Sequence, residues 1–316
     1  MMNAPKVTVE EFYVGNASAL GLRLMAGASG LKRAIKEPTV NRPGLALAGF
    51  TKYFANKRMQ AVGSAEVTYL KSLSKMERME RFKYICSLKI PGVVFSRNLK
   101  PEKEFLEVAE SVNVPVFRSP LITMKFINRA TLALEDLFAP RGQEHGSMVD
   151  ILGVGVIVKG ASGIGKSECV LALLERGYSL VADDITKVKL IDGRVIIGTS
   201  AVVTRDYMEV RGIGIIDVGA MFGVRSIRRE KQVDLVVSLI EWDELKEVDR
   251  LGLDEATVDM LGVSVPHITI PVRPGRDMAR LIEVAAFQNK LKRSGHNPAE
   301  ELNKRLLAHM STGGRE

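Results

Sequence analysis

The sequence predicts an α/β protein of two domains, the second built around a mixed sheet. Three observations carry this. Helix-like and strand-like pieces alternate from Val7 to about Ala139; a polar stretch rich in turn formers, Ala139-Pro140-Arg141-Gly142-Gln143, then interrupts them. Beyond it, the apolar run Val154 to Val158 leads into a glycine-rich loop and a helical pattern, Glu168 to Leu174. The boundary is placed at residues 139 to 143, giving domains 1–139 and 140–316.

In the first domain the pattern reads as a helix over Glu66 to Lys75, a buried strand over Gly92 to Ser96, a helix over Pro101 to Ser111 and a strand over Val114 to Arg118. Apolar residues then recur at three and four from Ile122 to Phe138, which predicts one long amphipathic helix. This region holds no phosphate loop, no histidine and no metal-spaced cluster, so binding or assembly is expected of it rather than chemistry. Ala26-Gly27-Ala28-Ser29-Gly30 looks like a phosphate loop but continues Leu31-Lys32-Arg33, and reads as a turn.

The second domain opens with His145-Gly146 and two strand pieces, Met148 to Asp150 and Ile151 to Val158. A helix over Lys166 to Arg176 stops at Gly177, and Tyr178 to Ala182 is the next strand. Ile185 to Leu190 and Arg194 to Ile197 flank Asp192-Gly193, a strong hairpin signal. Val233 to Ile240 and Ile268 to Val272 read as further strands, Asp277 to Leu291 and Ala299 to His309 as closing helices, and Ser311 to Glu316 as a frayed end.

Composition narrows the function classes. With 46% hydrophobic and 26% charged residues the chain is of the soluble globular kind, and no run of 18 apolar residues or apolar leader core is present. No membrane association and a cytoplasmic location are therefore expected. The two cysteines, Cys86 and Cys169, argue against a disulfide framework. A net charge of +8 suits an acidic or phosphorylated partner; the basic clusters are short and lack interleaved aromatics, so no nucleic-acid partner is expected.

The glycine-rich loop is Gly160-Ala161-Ser162-Gly163-Ile164-Gly165-Lys166-Ser167, a full match to G-x-x-x-x-G-K-[ST]. Its glycines let backbone N–H groups and the next helix start converge on anionic oxygens. Lys166 then reaches the β- and γ-phosphates of ATP while the Ser167 hydroxyl ligates Mg²⁺. Asp183-Asp184 end the following strand, where one carboxylate can serve a metal and the other a nucleophile; a solvent-facing cap is the plain alternative. In Glu209-Val210-Arg211-Gly212-Ile213-Gly214-Ile215-Ile216-Asp217 the paired glycines allow close backbone approach to a ligand beside Arg211, and Glu209 is a candidate Mg²⁺ ligand. His145 can exchange protons, Arg250 can stabilise phosphoryl charge, and Pro271-Val272-Arg273-Pro274-Gly275-Arg276 is a rigid loop presenting two arginines. His267, His296 and His309 show no ligand spacing. The absence of Asn-Lys-x-Asp disfavours a GTPase. A competing reading is a P-loop ATPase acting in assembly or sensing, with Leu235 to Glu244 as a strand ending in acids and Glu241 or Glu244 as the catalytic one.

Taken together these pieces resemble the bifunctional HPr kinase/phosphorylase family. The resemblance is carried by Glu144-His145-Gly146, Gly160 to Ser167, Leu180-Val181-Ala182-Asp183-Asp184, Glu209 to Val218, Asp249-Arg250-Leu251-Gly252-Leu253, Arg273-Pro274-Gly275-Arg276 and Ile282-Glu283-Val284-Ala285-Ala286. Upstream, Asn41 to Phe50 and Arg58 to Gly63 are similar to the family's N-terminal domain, so nearly the whole chain is covered. The resemblance implies a C-terminal P-loop kinase domain similar to phosphoenolpyruvate carboxykinase, and a homohexamer with the catalytic domains at its centre. It implies ATP- and Mg²⁺-dependent phosphorylation of a serine of the phosphocarrier HPr, and phosphorolysis of that phosphoserine by inorganic phosphate giving pyrophosphate. The catalytic positions then fall on His145, Lys166, Asp184 and Arg250, and the Mg²⁺ ligands on Ser167 and Glu209. Asp184 takes the serine proton and returns it in phosphorolysis, a reaction the family associates with the loop Pro271 to Arg276.

Overall fold

Met59-Gln60-Ala61-Val62 and Val93-Val94-Phe95 are buried on both faces, the pattern of adjacent parallel strands, and the computed structural model pairs them that way. The structure describes residues 7–244 and 256–312. Two units divide the chain, Met1–Ala139 and Pro140–Glu316. No helix among the described residues is long and apolar enough to cross a membrane.

The first unit begins with β1 (Val7–Thr8), α1 (Val9–Leu20), β2 (Arg23–Ala26), β3 (Ala34–Ile35), β4 (Val40–Asn41) and α2 (Gly44–Leu47). It continues with β5 (Met59–Val62), α3 (Ser64–Ser72), α4 (Lys75–Ser87), β6 (Val93–Phe95), α5 (Lys103–Ser111), β7 (Val116–Arg118) and α6 (Thr123–Phe138). A five-stranded sheet has the order β2-β7-β6-β5-β4, parallel from β4 to β7 with β2 antiparallel at the edge. Leu70, Phe82, Ile85 and Phe105 of α3 to α5 cover one face against Val62, Val93 and Val116. Phe12 of α1 with Phe126, Ala130 and Leu134 of α6 cover the other against Ala61, Val94 and Phe117.

One helix over 66–75 is not what forms. α3 stops at Ser72, and Ser74 starts α4: its hydroxyl accepts from the Glu77 N–H, while the Glu77 carboxylate accepts from the Ser74 N–H. This capping box overrides the helical periodicity running through it.

The second unit opens with β8 (Arg141–His145), β9 (Ser147–Ile151), β10 (Val154–Gly160), α7 (Lys166–Glu175), β11 (Ser179–Ala182), β12 (Ile185–Ile191) and β13 (Val195–Thr199). There follow β14 (Tyr207–Val210), β15 (Gly214–Asp217), α8 (Val218–Phe222), β16 (Glu230–Gln232), β17 (Leu235–Glu241), β18 (Thr257–Met260), β19 (Val263–Val272), α9 (Met278–Arg293) and α10 (Pro298–Thr312). The six-stranded sheet β11-β9-β10-β17-β19-β18 is mixed: β10, β17 and β19 run parallel, and β9, β11 and β18 pair antiparallel. Helices α7 and α9 pack Val170, Leu173, Ile282 and Ala286 on Val156, Val158, Val237 and Leu239 of one face. A second, four-stranded sheet, β16-β13-β12-β8, closes the opposite face through Met148, Ile157, Val188, Ile196, Val236 and Val265.

Two readings of this region change. Ile151 to Val158 is not one strand, because Leu152 and Gly153 both take positive φ (46° and 92°) and turn the chain back, as a tight hairpin requires. The polar stretch 139–143 is half strand: Arg141 to Lys189 and His145 to Ile185 mark the ends of the β8–β12 ladder, a pairing its composition does not announce. Neither cysteine is in a disulfide; burial pushes the Cys86 thiol to about 12 and the Cys169 thiol to about 11, which leaves both protonated and unreactive.

Candidate functional site

Because β10, β17 and β19 are parallel, their carboxyl ends reach one edge of the sheet, where open α/β sheets bind ligands. Gly160 at the end of β10 faces Leu239 of β17, and Glu241 at the end of β17 faces Val272 of β19. A Cβ on Gly160 would lie 2.9 Å from the Leu239 carbonyl oxygen, so only glycine lets the chain leave the sheet there. Ile164 is buried in the core and roots the loop, and Gly165, at φ 100°, caps α7. The Lys166 ammonium donates to the carbonyl oxygens of Gly160 (2.9 Å) and Ala161 (3.0 Å), lying back across the loop it follows.

Opposite the loop, a three-residue turn joins β11 to β12. The Ile185 N–H donates to the Asp183 carbonyl at 2.6 Å, and Asp184 between them sits at φ 55°, a strained γ-turn. The two acids are not equivalent. Asp183 accepts from the Ser147 hydroxyl (2.8 Å) and from the Glu209 N–H (3.0 Å), and the Asp184 N–H donates to that same hydroxyl (3.3 Å). No protein donor among the described residues holds the Asp184 carboxylate. Asp183 thus fastens β9, the turn and β14 together, and Asp184 is left facing the cavity.

That cavity has a volume of about 340 Å³, and Lys166, Ser167, Asp183, Asp184, Glu209 and Arg211 line it together with Ser147, Glu168 and the loop residues Ser162, Gly163 and Gly165. The β14–β15 hairpin supplies Glu209 and Arg211. Gly212 and Gly214 adopt φ 86° and 109°, as its tight turn requires, with no neighbour within 4 Å of where a Cβ would stand. Arg211 reaches from the turn to donate to the Ser162 hydroxyl at 3.2 Å, closing one side of the loop.

Other candidates are placed nearby or elsewhere. His145 is an exposed residue at the end of β8, paired in register with Ile185, and the following Gly146 N–H donates to the Asp184 carbonyl at 2.7 Å. It flanks the turn without lining the cavity. Pro271 to Arg276 leaves β19 at the same edge: the Arg276 N–H donates to the Arg273 carbonyl at 3.2 Å, with Pro274 second and Gly275 third at φ 84°, the pattern of a type II turn. The Arg273 guanidinium lies over the Trp242 ring, 4.3 Å from its centroid. Arg250 and the Glu244 side chain lie outside the described residues. His267 accepts or shares a proton with Ser238 at 2.8 Å, and burial, helped by Lys159, holds it below the usual histidine range.

Sequence reasoning missed Ser147, whose only mark is its place just after Glu144-His145-Gly146, and Trp242, whose partner is a strand away. A divalent cation fits the donor set. Ser167 and Glu209 offer two oxygen ligands in one cavity, and Mg²⁺ is commonly held by one or two protein ligands with phosphate oxygens and water completing its shell. Among the described residues, no group of three or more His, Cys, Asp or Glu forms an all-protein metal site.

A glycine loop between strand and helix, with a lysine inside it and carboxylates across a polar cavity, is the equipment of a phosphotransferase, and the chain is an enzyme of that class. Family models match both halves: HPr Serine kinase N terminus over residues 7–134 and HPr Serine kinase C-terminal domain over 136–306. The chain belongs to the HPr serine kinase family. It is 43% identical over 285 residues to an HPr kinase/phosphorylase of Exiguobacterium sp., covering 90% of this chain and 92% of that protein. It is 41% identical over 308 residues to an HPr kinase/phosphorylase of Chloroherpeton thalassium, covering 97% and 91%. Among solved structures, the Hpr(Ser) kinase/phosphatase from Coxiella burnetii aligns at 34% identity over 51% of this chain and 98% of that one, with a TM-score of 0.47.

Proposed function

We propose that the protein transfers the γ-phosphoryl group of ATP to a serine of HPr, and that it also cleaves the resulting phosphoserine with inorganic phosphate to give pyrophosphate, so regulating sugar uptake and carbon metabolism. The observation that carries the reading is the inequality of the two acids: Asp183 is occupied by Ser147 and Glu209, and Asp184 faces Lys166 and Ser167 across the cavity. Asp184 accepts the proton of the serine hydroxyl as that oxygen attacks phosphorus. In phosphorolysis a phosphate oxygen attacks the phosphoserine phosphorus, the serine oxygen leaves, and Asp184 returns the proton to it. Lys166 and the loop N–H groups hold the phosphates in line and balance their charge. Ser167 and Glu209 are the ligands that fit Mg²⁺, whose contribution when bound is to neutralise charge on the phosphate oxygens.

Arg211 steadies the loop through Ser162, His145 exchanges protons beside the Asp184 turn, and Arg250 stabilises phosphoryl charge. Residues 140–316 form the catalytic domain, with a P-loop kinase fold similar to phosphoenolpyruvate carboxykinase, and residues 1–139 serve assembly or regulation in a cytoplasmic homohexamer.

The test is incubation of the purified protein with ATP, Mg²⁺ and the HPr of its own cell, read by mass spectrometry for phosphoserine. Asp184→Asn is expected to lower transfer by about 10²–10⁴, the worth of a general base. Glu241→Gln separates this from an ATP-hydrolysing assembly protein. If the Glu241 variant fails and the Asp184 variant works, the kinase reading is wrong.

A further inference from the structure

The geometry points to Trp242 as a positioning residue for Arg273, presenting its guanidinium to inorganic phosphate; this rests on the phosphorolysis reading above. Trp242 follows the last residue of β17, and Arg273 follows the last residue of β19. The register Glu241 to Val272 sets the two side by side at the edge that carries the phosphate loop. The guanidinium carbon stands 4.3 Å from the ring centroid, and tryptophan is the best aromatic partner for such a cation.

The kind of contact matters more than its strength. A ring engages the face of a guanidinium and leaves its N–H groups, which point outward in the plane, available as a fork. A carboxylate would take those donors and cancel the charge. Arg176 shows that alternative in the same unit: it donates to Asp277 at 2.5 Å and to Glu283 at 3.1 Å, and its fork is spent on structure. Among the described residues no carboxylate pairs with Arg273.

The two contacts fasten opposite ends of one loop. Asp277, just after Arg276, accepts from the Arg280 N–H at 2.9 Å to cap α9 and is tied to Arg176 at the end of α7. At the other end, Pro274 fixes the backbone after Arg273, and Trp242 fixes the side chain. The loop is tied at both ends, yet among the described residues nothing takes the Arg273 side-chain donors. That combination suits a dianion such as phosphate, which a planar fork grips through two oxygens.

Phosphorolysis of phosphoserine-HPr by the intact protein, measured against phosphate concentration, tests this. Trp242→Leu is expected to raise the phosphate concentration for half-maximal rate about two- to fivefold, the worth of a solvent-exposed cation–π contact, with kcat changed less. Trp242→Phe should recover part of the difference, and transfer from ATP should fall by less than phosphorolysis. Equal values for the Leu variant and the unaltered protein, no recovery by Phe, or equal loss in both reactions would overturn the assignment. Trp242 is the sole tryptophan, so its fluorescence gives a reading that needs no turnover and no substituted tryptophan. Inorganic phosphate should change the emission of the unaltered protein and not that of Arg273→Ala; an unresponsive unaltered protein overturns the inference. A protein that transfers phosphate from ATP but shows no phosphate-driven release refutes the phosphorolysis reading itself, and the inference falls with it.

Discussion

Two loops leave the same edge of the central sheet, Gly160–Ser167 from the end of β10 and Pro271–Arg276 from the end of β19, and they are held in opposite ways. The first is shaped by its backbone: Gly160 has no room for a side chain against Leu239, Gly163 and Gly165 stand at φ 88° and 100°, and Ile164 is driven into the core. The second is an exposed proline-bounded turn whose position comes from side chains on other elements, Trp242 beneath Arg273 and Arg176 against Asp277. A loop held from below presents its N–H groups regardless of most side chains on it. A loop held by its side chains makes function and anchorage the same few residues.

The sharpest way to break this contrast is at the two cations. On the proposed reading Lys166→Ala removes the cation with which the first loop holds phosphate, and both ATP-dependent transfer and phosphorolysis are expected to fall by about 10²–10³. Steady-state rates in the two directions check it; a loss confined to one would mean that the loop is not common to both reactions. Arg273→Ala comes next. Phosphate-driven release should fall about tenfold to a hundredfold, as for loss of a charged hydrogen bond, and transfer from ATP by distinctly less. Equal losses would place the second loop in the shared machinery and erase the distinction.

How much of this was legible follows from where the information sits. The glycine loop between β10 and α7 could be read because its glycine spacing is itself the geometry, and the Asp192-Gly193 hairpin for the same reason, since both residues stand at positive φ. The Asp183-Asp184 pair was visible as a pair, but the division between its members was not: it depends on the Ser147 hydroxyl from β9 and the Glu209 N–H from β14. Likewise the Trp242 contact exists only once β17 and β19 pair. Leu152-Gly153 hid inside an apolar run because leucine is an unusual occupant of a positive-φ position. The capping box at Ser74 and Glu77 was in plain view, and helical periodicity across it masked the break.

The smallest effect is also the most direct on the contrast itself, because it leaves every cation in place. Gly165 and Gly275 stand at φ 100° and 84°, and neither has an atom closer than 4.0 Å to where a Cβ would sit. Steric room is thus equal, and an alanine tests only whether the backbone can move. At Gly165 it is fastened on both sides, with Ile164 buried before it and the Cys169 N–H donating to its carbonyl at 3.0 Å in the first turn of α7. Gly165→Ala should therefore carry its full conformational cost, about 1–3 kcal/mol, into the urea transition that includes this unit. Gly275 is held by the single turn bond from Arg276 to Arg273, and its neighbours are exposed, so Gly275→Ala can relax into another turn and should cost below about 1 kcal/mol. Equal shifts of the two urea midpoints would mean that the second loop is as rigidly rooted as the first. Side-chain anchorage would then add nothing that its backbone does not already provide.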